Sequence, residues 1–390
     1  MRTLSAENVT YLTAVRQSLH QQPEISGEEK LTAARIIQEL KQAGVDQIWK
    51  NLGGYGVAAA FCGAEPGPTI LFRCELDALP IAEKSTLSYC SEIEGKGHLC
   101  GHDGHMCIVL GVALGLAERP THGRVILLFQ PAEETGFGAK AVINDPRWPE
   151  IRPDYAYAYH NVPGRPLAEI GLHAGPATCA SRGMQIIFHG KSSHAAAPED
   201  GASPGEAMAE LMLKIQTLGS GSISDPNFGL STLTHARLGE PTFGVAPGEG
   251  ELRVTLRSMT NERMDEMITK AQAMLEEIKP PLEVETFWHD VFPAATNSAN
   301  TTDIARSAAG ERKLNIHEMQ RPMKWSEDFG HIGLDGVNST MLFLGAGINQ
   351  PQLHNPDYDF PDELLVVGAE LLLDIIDKTL DFEVNSLDQF

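Results

Sequence analysis

The sequence predicts an α/β fold in two domains: a larger domain built on a mixed sheet, and a β-α-β-β-α-β unit inserted into it. Three observations point there. Short β-rich apolar runs alternate with helical segments through the first 170 or so residues, the rhythm changes between about Gly175 and Pro280, and it resumes after Pro293. A chain of 390 residues, 42% of them hydrophobic, can bury a large core and suggests two domains.

From Leu4 to Ala43, apolar residues recur at helical spacing (Leu12, Val15, Leu19, then Leu31, Ala34, Ile37, Leu40), interrupted by Pro23 and Gly27. Two helices around a turn are expected. The runs Gly56 to Cys62, Thr69 to Cys74, Arg124 to Gln130 and Asp154 to Tyr159 read as strands, with a helix from about Met106 to Ala117 between the second and third. Strands interleaved with helices imply a sheet covered on both faces. The middle segment then reads strand (Arg182 to His189), helix (Ser203 to Leu218), two strands (Gly229 to Ala236, Gly250 to Ser258), helix (Asn261 to Ile278) and a last strand near Leu282 to Trp288. A helix from Thr302 to Ala309, a strand from Thr340 to Leu344 and a helix from Pro361 to Leu380 complete the first domain. The expected boundaries are 1–174 and 290–390 for the larger domain and 175–289 for the insertion.

Composition excludes several partners. A formal net charge of -22, without any basic stripe, repels phosphate backbones and anionic lipid, so neither nucleic acid nor membrane is expected as a partner. The first residues lack the apolar core of a secretory signal and no apolar run is long enough to span a bilayer, so a cytoplasmic protein is expected. The six cysteines form no regular framework, and a chain of this length needs no disulfide.

Chemistry concentrates in four places. In Cys100-Gly101-His102 a thiolate and an imidazole two positions apart in extended backbone would point to one face, ready for a metal ion; a buried thiol beside a surface histidine reads the same residues. Glu133 and Glu134 follow an apolar strand, where neighbours on opposite faces suit different tasks, one binding metal and one handling protons, or else form a solvated helix start. His160 stands where a strand leaves the sheet, the usual place for an α/β site, and His354 lies in a loop, where turn capping is an equal reading. Together, Cys100, His102, one of Glu133 and Glu134, His160 and His354 supply five ligands. Hydrolysis by two divalent ions roughly 3.5–4 Å apart requires such a set, with a bridging group that Cys100 can provide. Thiolate favours Zn, Mn, Co or Ni over Mg or Ca.

These residues sit in longer motifs: Arg73-Cys74-Glu75-Leu76-Asp77-Ala78-Leu79-Pro80, His98 to His105, Gln130 to Glu134, Gly190-Lys191-Ser192-Ser193-His194, Ser326-Glu327-Asp328-Phe329, with Leu19-His20 through Glu24 before them and Leu353-His354 after. Seven motifs in this order resemble the dinuclear metal-dependent amidohydrolases that include N-acyl-amino-acid hydrolases, hippurate hydrolases and auxin-conjugate hydrolases. The resemblance implies Cys100 bridging two ions per subunit, His102 and His160 completing one site, and Glu134 and His354 the other. It further implies Glu133 as the general base, passing a proton from the attacking water to the leaving amine. His194, in the inserted lid and dimerisation unit, would stabilise the oxyanion from within its own subunit or across a homodimer. The substrate implied is an N-acyl amino acid; a metallo-dipeptidase or carboxypeptidase of the same fold, or a non-catalytic ligand-binding homologue, remains as alternative. Two departures stand out. Glu75 replaces the aspartate of relatives, and Gly244 replaces an asparagine that helps hold substrate, unless glycine there serves a positive φ. Arg257 then reads either as an anchor for the substrate carboxylate or as an exposed strand arginine.

Overall fold

In a computed structural model, which describes residues 1–387, the chain divides into two compact units. The first comprises Met1–Gly175, Thr296–Met319 and Asp328–Phe390, and the second Pro176–Ala295 and Gln320–Glu327. The second unit thus extends past residue 289 and takes up the segment 320–327, which the sequence reading leaves with the larger domain. Backbone hydrogen bonds explain this: Met323 N–H donates to Ala177 O, and Cys179 N–H donates to both Met323 O and Trp325 O.

The first unit is built on an eight-stranded sheet. Its order is Gln47–Leu52, Gly56–Cys62, His122–Gln130, Glu65–Glu75, Tyr155–Val162, Asn338–Gly345, Ile170–Leu172, Ile316–Glu318. The sheet is mixed. The four central strands from His122–Gln130 to Asn338–Gly345 run parallel, whereas Gln47–Leu52, Gly56–Cys62 and Ile170–Leu172 enter through antiparallel pairings. Strands such as Gly56–Cys62 and Tyr155–Val162 are almost continuously buried, as their unbroken apolar runs require of a sheet covered on both faces.

The helix Ala6–Gln21, capped by the Ser5 hydroxyl accepting from Asn8 N–H, buries Leu12, Val15 and Leu19. A helix at Lys30–Gln42 follows it, so two helices do flank the turn. The helix His102–Gly115 is buried from His102 through Ala113. Gly111 allows its close approach to the C-terminal helix Glu363–Leu387, since a Cβ there would stand 2.7 Å from the Ala369 Cβ. This helix begins four residues before the expected start at Met106. A helix that is apolar all round offers no periodic contrast to mark its first turn.

The second unit carries a four-stranded antiparallel sheet ordered Gly229–Leu238, Glu249–Ser258, Ala180–His189, Glu283–Phe292. Helices Gly205–Gln216 and Asn261–Glu276 cover one face, packing Met208, Leu211, Ile215, Met264 and Met267 on Ile186, Phe188, Leu252 and Val254. The chain order is the expected β-α-β-β-α-β, with a short additional pairing of Ser193–His194 with Val245–Ala246.

Candidate metal centre

Parallel strands deliver their carboxyl ends to one edge of a sheet, and loops there converge. In the first unit, the strand Tyr155–Val162 carries His160 near its end, the turn after His122–Gln130 carries Glu133 and Glu134, and the loop after Asn338–Gly345 carries His354. The start of the buried helix supplies Cys100 and His102.

Potential ligand atoms of Cys100, His102 and His160 lie within 4.8 Å of one another, and so do those of Cys100, Glu134 and His354. Cys100 belongs to both groups. The Cys100 Sγ to His160 Nε2 distance is 3.5 Å, and Glu134 Oε1 stands 3.9 Å from His102 Nε2 and 3.8 Å from His354 Nε2. The five residues named from sequence are therefore brought together.

Two expectations about local geometry need correction. The Cys100–His102 backbone is not extended: Gly101 adopts φ +87° and caps the helix, so the thiol and imidazole converge through a turn. Nor do Glu133 and Glu134 fall on opposite faces. Ala132 has φ +51°, and the chain folds back after it, with Gly138 N–H donating to Ala132 O and Gly136 N–H to Glu133 O. Both carboxylates consequently lie within 4.8 Å of a His102 ring nitrogen. They differ in that only Glu134 also converges with Cys100 and His354.

The surroundings prepare the imidazoles as ligands. His102 Nδ1–H donates to Asp77 O at 2.8 Å and His160 Nδ1–H donates to Asn161 O at 2.8 Å, so each ring turns its Nε2 toward the other candidate ligands, His160 toward Cys100 Sγ and His102 toward Glu134. His102 Nε2 is buried without a hydrogen-bond partner among the described residues. Burial, and then His105, hold His160 well below the ordinary histidine range; burial, and then His102, lower His354 as well. Both are neutral near pH 7. Burial, reinforced by the Glu134 carboxylate, pushes the Cys100 thiol upward. A thiolate here needs a positive partner that no Lys or Arg of the group provides. Burial opposes a charge on His102, but Cys100, Glu75 and Asp77 outweigh it and hold this imidazole well above the ordinary histidine range. One imidazole drawn toward positive charge, two neutral ones and a thiol costly to ionise alone form a donor set that suits a borderline divalent cation in place of the proton.

Four further residues support the ligands: Asp77, Glu75, Glu29 and Asn161. Asp77 Oδ2 accepts from Ser26 Oγ (2.7 Å) and from Glu134 N–H (3.0 Å), tying the acidic turn to His102. Burial opposes its ionisation, but His102, Ser26 and the Glu134 amide outweigh it and hold it below the usual carboxylate range. Glu75 accepts from Arg73 and from His105 Nδ1–H at 2.7 Å. Glu29 accepts from Ala132 N–H at 2.8 Å and so supports the turn that carries Glu133. Motif residues such as Glu75 and Asp77 were visible as a pattern; Glu29 and Asn161 gave no signal, because their partners are distant in sequence.

The remaining candidates belong to the second unit. His194 pairs with Val245, and its Nδ1 accepts from Ala196 N–H at 3.0 Å, which leaves the ring proton on Nε2. Gly244 lies beside it, accepting from Ala195 N–H through its carbonyl at 3.1 Å. Its φ is not positive, and a Cβ there would meet nothing within 4 Å, so the backbone does not require glycine. Arg257 donates to Ser326 Oγ (2.9 Å) and to Lys324 O (3.2 Å), and burial lowers its pKa. Among the described residues it forms no ion pair with a carboxylate.

A family model described as peptidase family M20/M25/M40 matches residues 71–378. N-acetyl-L-cysteine deacetylase of Bacillus subtilis is 32% identical over 379 residues, spanning 96% of this chain and 89% of that protein. Hippurate hydrolase of Campylobacter jejuni is 30% identical over 360 residues (91% and 93%), and N-acetyldiaminopimelate deacetylase of Enterococcus faecalis is 30% identical over 375 residues (95% and 98%). Among solved structures, a dinuclear metal-binding peptidase of the M20 family from Bacillus subtilis superposes with a TM-score of 0.81 at 24% identity, covering 97% of this chain and 99% of that one. An aminobenzoyl-glutamate utilization protein from Klebsiella pneumoniae gives 0.69 at 20% identity, covering 95% of each.

Proposed function

The chain belongs to peptidase family M20/M25/M40, and on that premise we propose that it is a metal-dependent amidohydrolase that cleaves N-acyl amino acids into a carboxylic acid and a free amino acid. The observation that carries this reading is the sharing of Cys100 between two three-residue groups drawn from four separate segments. Deacetylases and a hippurate hydrolase among the curated relatives favour an acyl amino acid over a dipeptide as substrate.

Cys100, His102 and His160 would hold one divalent ion, and Cys100, Glu134 and His354 a second, with Zn, Mn, Co or Ni suited to the thiolate. Bound there, such ions supply Lewis acidity, lowering the pKa of water and polarising the scissile carbonyl. Glu133 takes the proton of the attacking water and returns it to the departing nitrogen. The His194 Nε2–H is a donor for the developing oxyanion, either in its own subunit or across a homodimer. Arg257, a guanidinium without a carboxylate of its own, pairs with the substrate α-carboxylate. No helix among the described residues is long and apolar enough to cross a membrane.

The test is a panel of N-acetyl, N-benzoyl and indole-acyl amino acids, with dipeptides and the amidated acyl amino acids alongside. Metal-stripped protein should be inactive, and Zn, Mn, Co or Ni should restore hydrolysis. Free acids should exceed their amides in kcat/KM by roughly tenfold or more, because the amide leaves Arg257 unpaired. Activity without metal, preference for dipeptides, or equal rates for acid and amide would each overturn the corresponding part of the reading.

A further inference from the structure

Asn161 is not among the proposed ligands, yet it touches three of the segments that bear them. Its Nδ2–H donates to the Cys100 carbonyl at 2.7 Å, its Oδ1 accepts from Tyr358 Oη–H at 2.5 Å, and its backbone N–H donates to His105 Nε2 at 3.1 Å. It directly follows His160, whose Nδ1–H donates to the Asn161 carbonyl. The side chain is fully buried. Gly101 has no Cβ, and one built there would collide with the Asn161 amide, so the amide occupies the inside of the Cys100–His102 turn.

Each of these contacts fixes something different. The bond to Cys100 O sets where the thiol turn stands relative to His160 at the end of its strand. The bond from Tyr358 reaches the loop that carries His354. The backbone bond leads to His105, which Glu75 holds in turn, with Arg73 behind it. The buried chain Arg73, Glu75, His105, Asn161 therefore runs from the core of the sheet to the ligand edge. Glu75 completes it by presenting separate oxygens to Arg73 and His105.

We propose that Asn161 is a positioning residue of the metal centre, acting through the Cys100 carbonyl to set the separation of the Cys100 thiol and His160 imidazole and thereby the affinity of the ion held with His102. This rests on the reading of Cys100 and His160 as ligands. An amide is required because only it can donate to a carbonyl and accept from a phenol with one planar group. Aspartate is isosteric but loses the donor, placing an oxygen against the Cys100 carbonyl.

The experiment measures binding of Co and Zn to metal-free protein by titration, together with the thiolate-to-cobalt charge-transfer absorption, which reports the Cys100 bond directly. Asn161→Asp should weaken the ion at the Cys100/His102/His160 group by roughly tenfold to a hundredfold, the cost typical of removing a residue that orients a metal ligand, and should shift or weaken the absorption. The Glu134/His354 ion should keep most of its affinity. Asn161→Ala, which removes the donor without adding a charge, should do the same. Tyr358→Phe keeps the donor and should alter the absorption less than either. The thermal stability of the metal-free variants separates positioning from bulk folding: equal loss of both ions in step with that stability overturns the proposal. So does wild-type affinity and absorption in both Asn161 variants. Cys100→Ala and His160→Ala serve as references, because unchanged metal binding in those two would refute the ligand reading itself.

Discussion

The positive φ of Ala132 determines how two adjacent carboxylates can share one site. By turning the chain at that residue, it brings Glu133 and Glu134 toward His102 together, and the convergence of Glu134 on Cys100 and His354 sets it apart as the ligand. Glu133→Gln keeps volume and hydrogen bonding but cannot accept a proton, so kcat should fall by at least about 10² with metal content unchanged. Glu134→Gln should instead lower metal stoichiometry or affinity at one site, and metal analysis beside kinetics would expose a reversed assignment. Gly244 provides a second test at this scale. Its open surroundings and ordinary φ mean that Gly244→Asn should fold normally and lower KM for N-acyl amino acids, whereas an unchanged KM would remove the position from substrate recognition. The ligand types were legible in the sequence because thiol, imidazole and carboxylate recur after apolar runs. Asn161 and Glu29 were not, since hydrogen bonding to a distant backbone leaves no periodic or compositional trace.

At the level of elements, the first helix is tied to the buried helix through charges that neither segment could bury alone. His20 Nδ1 lies 2.8 Å from Asp103 Oδ2 and its Nε2 lies 3.3 Å from Glu83 Oε2, with Arg16 3.4 Å from Asp103 and the His98 and Tyr89 rings nearby. Burial opposes a charge on His20, and Arg16 opposes it too. Attraction to Asp103 and the hydrogen bonds of both carboxylates prevail, raising its pKa to about 10. A group whose folded pKa is raised binds its proton more tightly when folded, so its stabilisation is complete below the unfolded value near 6.5 and is lost as pH climbs through about 10. Denaturant unfolding of the wild type should therefore show stability falling from pH 7 to 10. His20→Gln, which has no such proton to lose, should be less stable at pH 7 and show a flatter decline; parallel profiles would refute the linkage. The strands around this region were legible because burial on both faces leaves unbroken apolar runs such as Gly56–Cys62. The edge strand Gln47–Leu52, with its mixed burial, and three-residue strands such as Ile316–Glu318 were missed, because too few residues alternate to show a period.

For the whole molecule, the open matter is whether one chain suffices for catalysis. The sheet of the second unit ends on one side at Gly229–Leu238, an edge strand ten residues long with Leu230 and Leu238 exposed. An edge of that length invites pairing with a second copy. If it pairs, His194 of each subunit can serve the metal centre of the other, and the order of motifs in the sequence could not reveal this, since it is the same for one chain or two. Mixing His194→Ala chains with Glu133→Gln chains decides the matter. Each variant alone should be nearly inactive. If His194 acts across the interface, a hybrid dimer contains one site with both an intact Glu133 and an intact His194. Random exchange of equal amounts then restores about a quarter of wild-type activity, because half the dimers are hybrids and each has one working site of two. If His194 serves its own subunit, every site in the mixture lacks one group, and exchange restores nothing. An active enzyme that stays monomeric at assay concentration would exclude action across the interface without any mixing, and would assign His194 to its own chain.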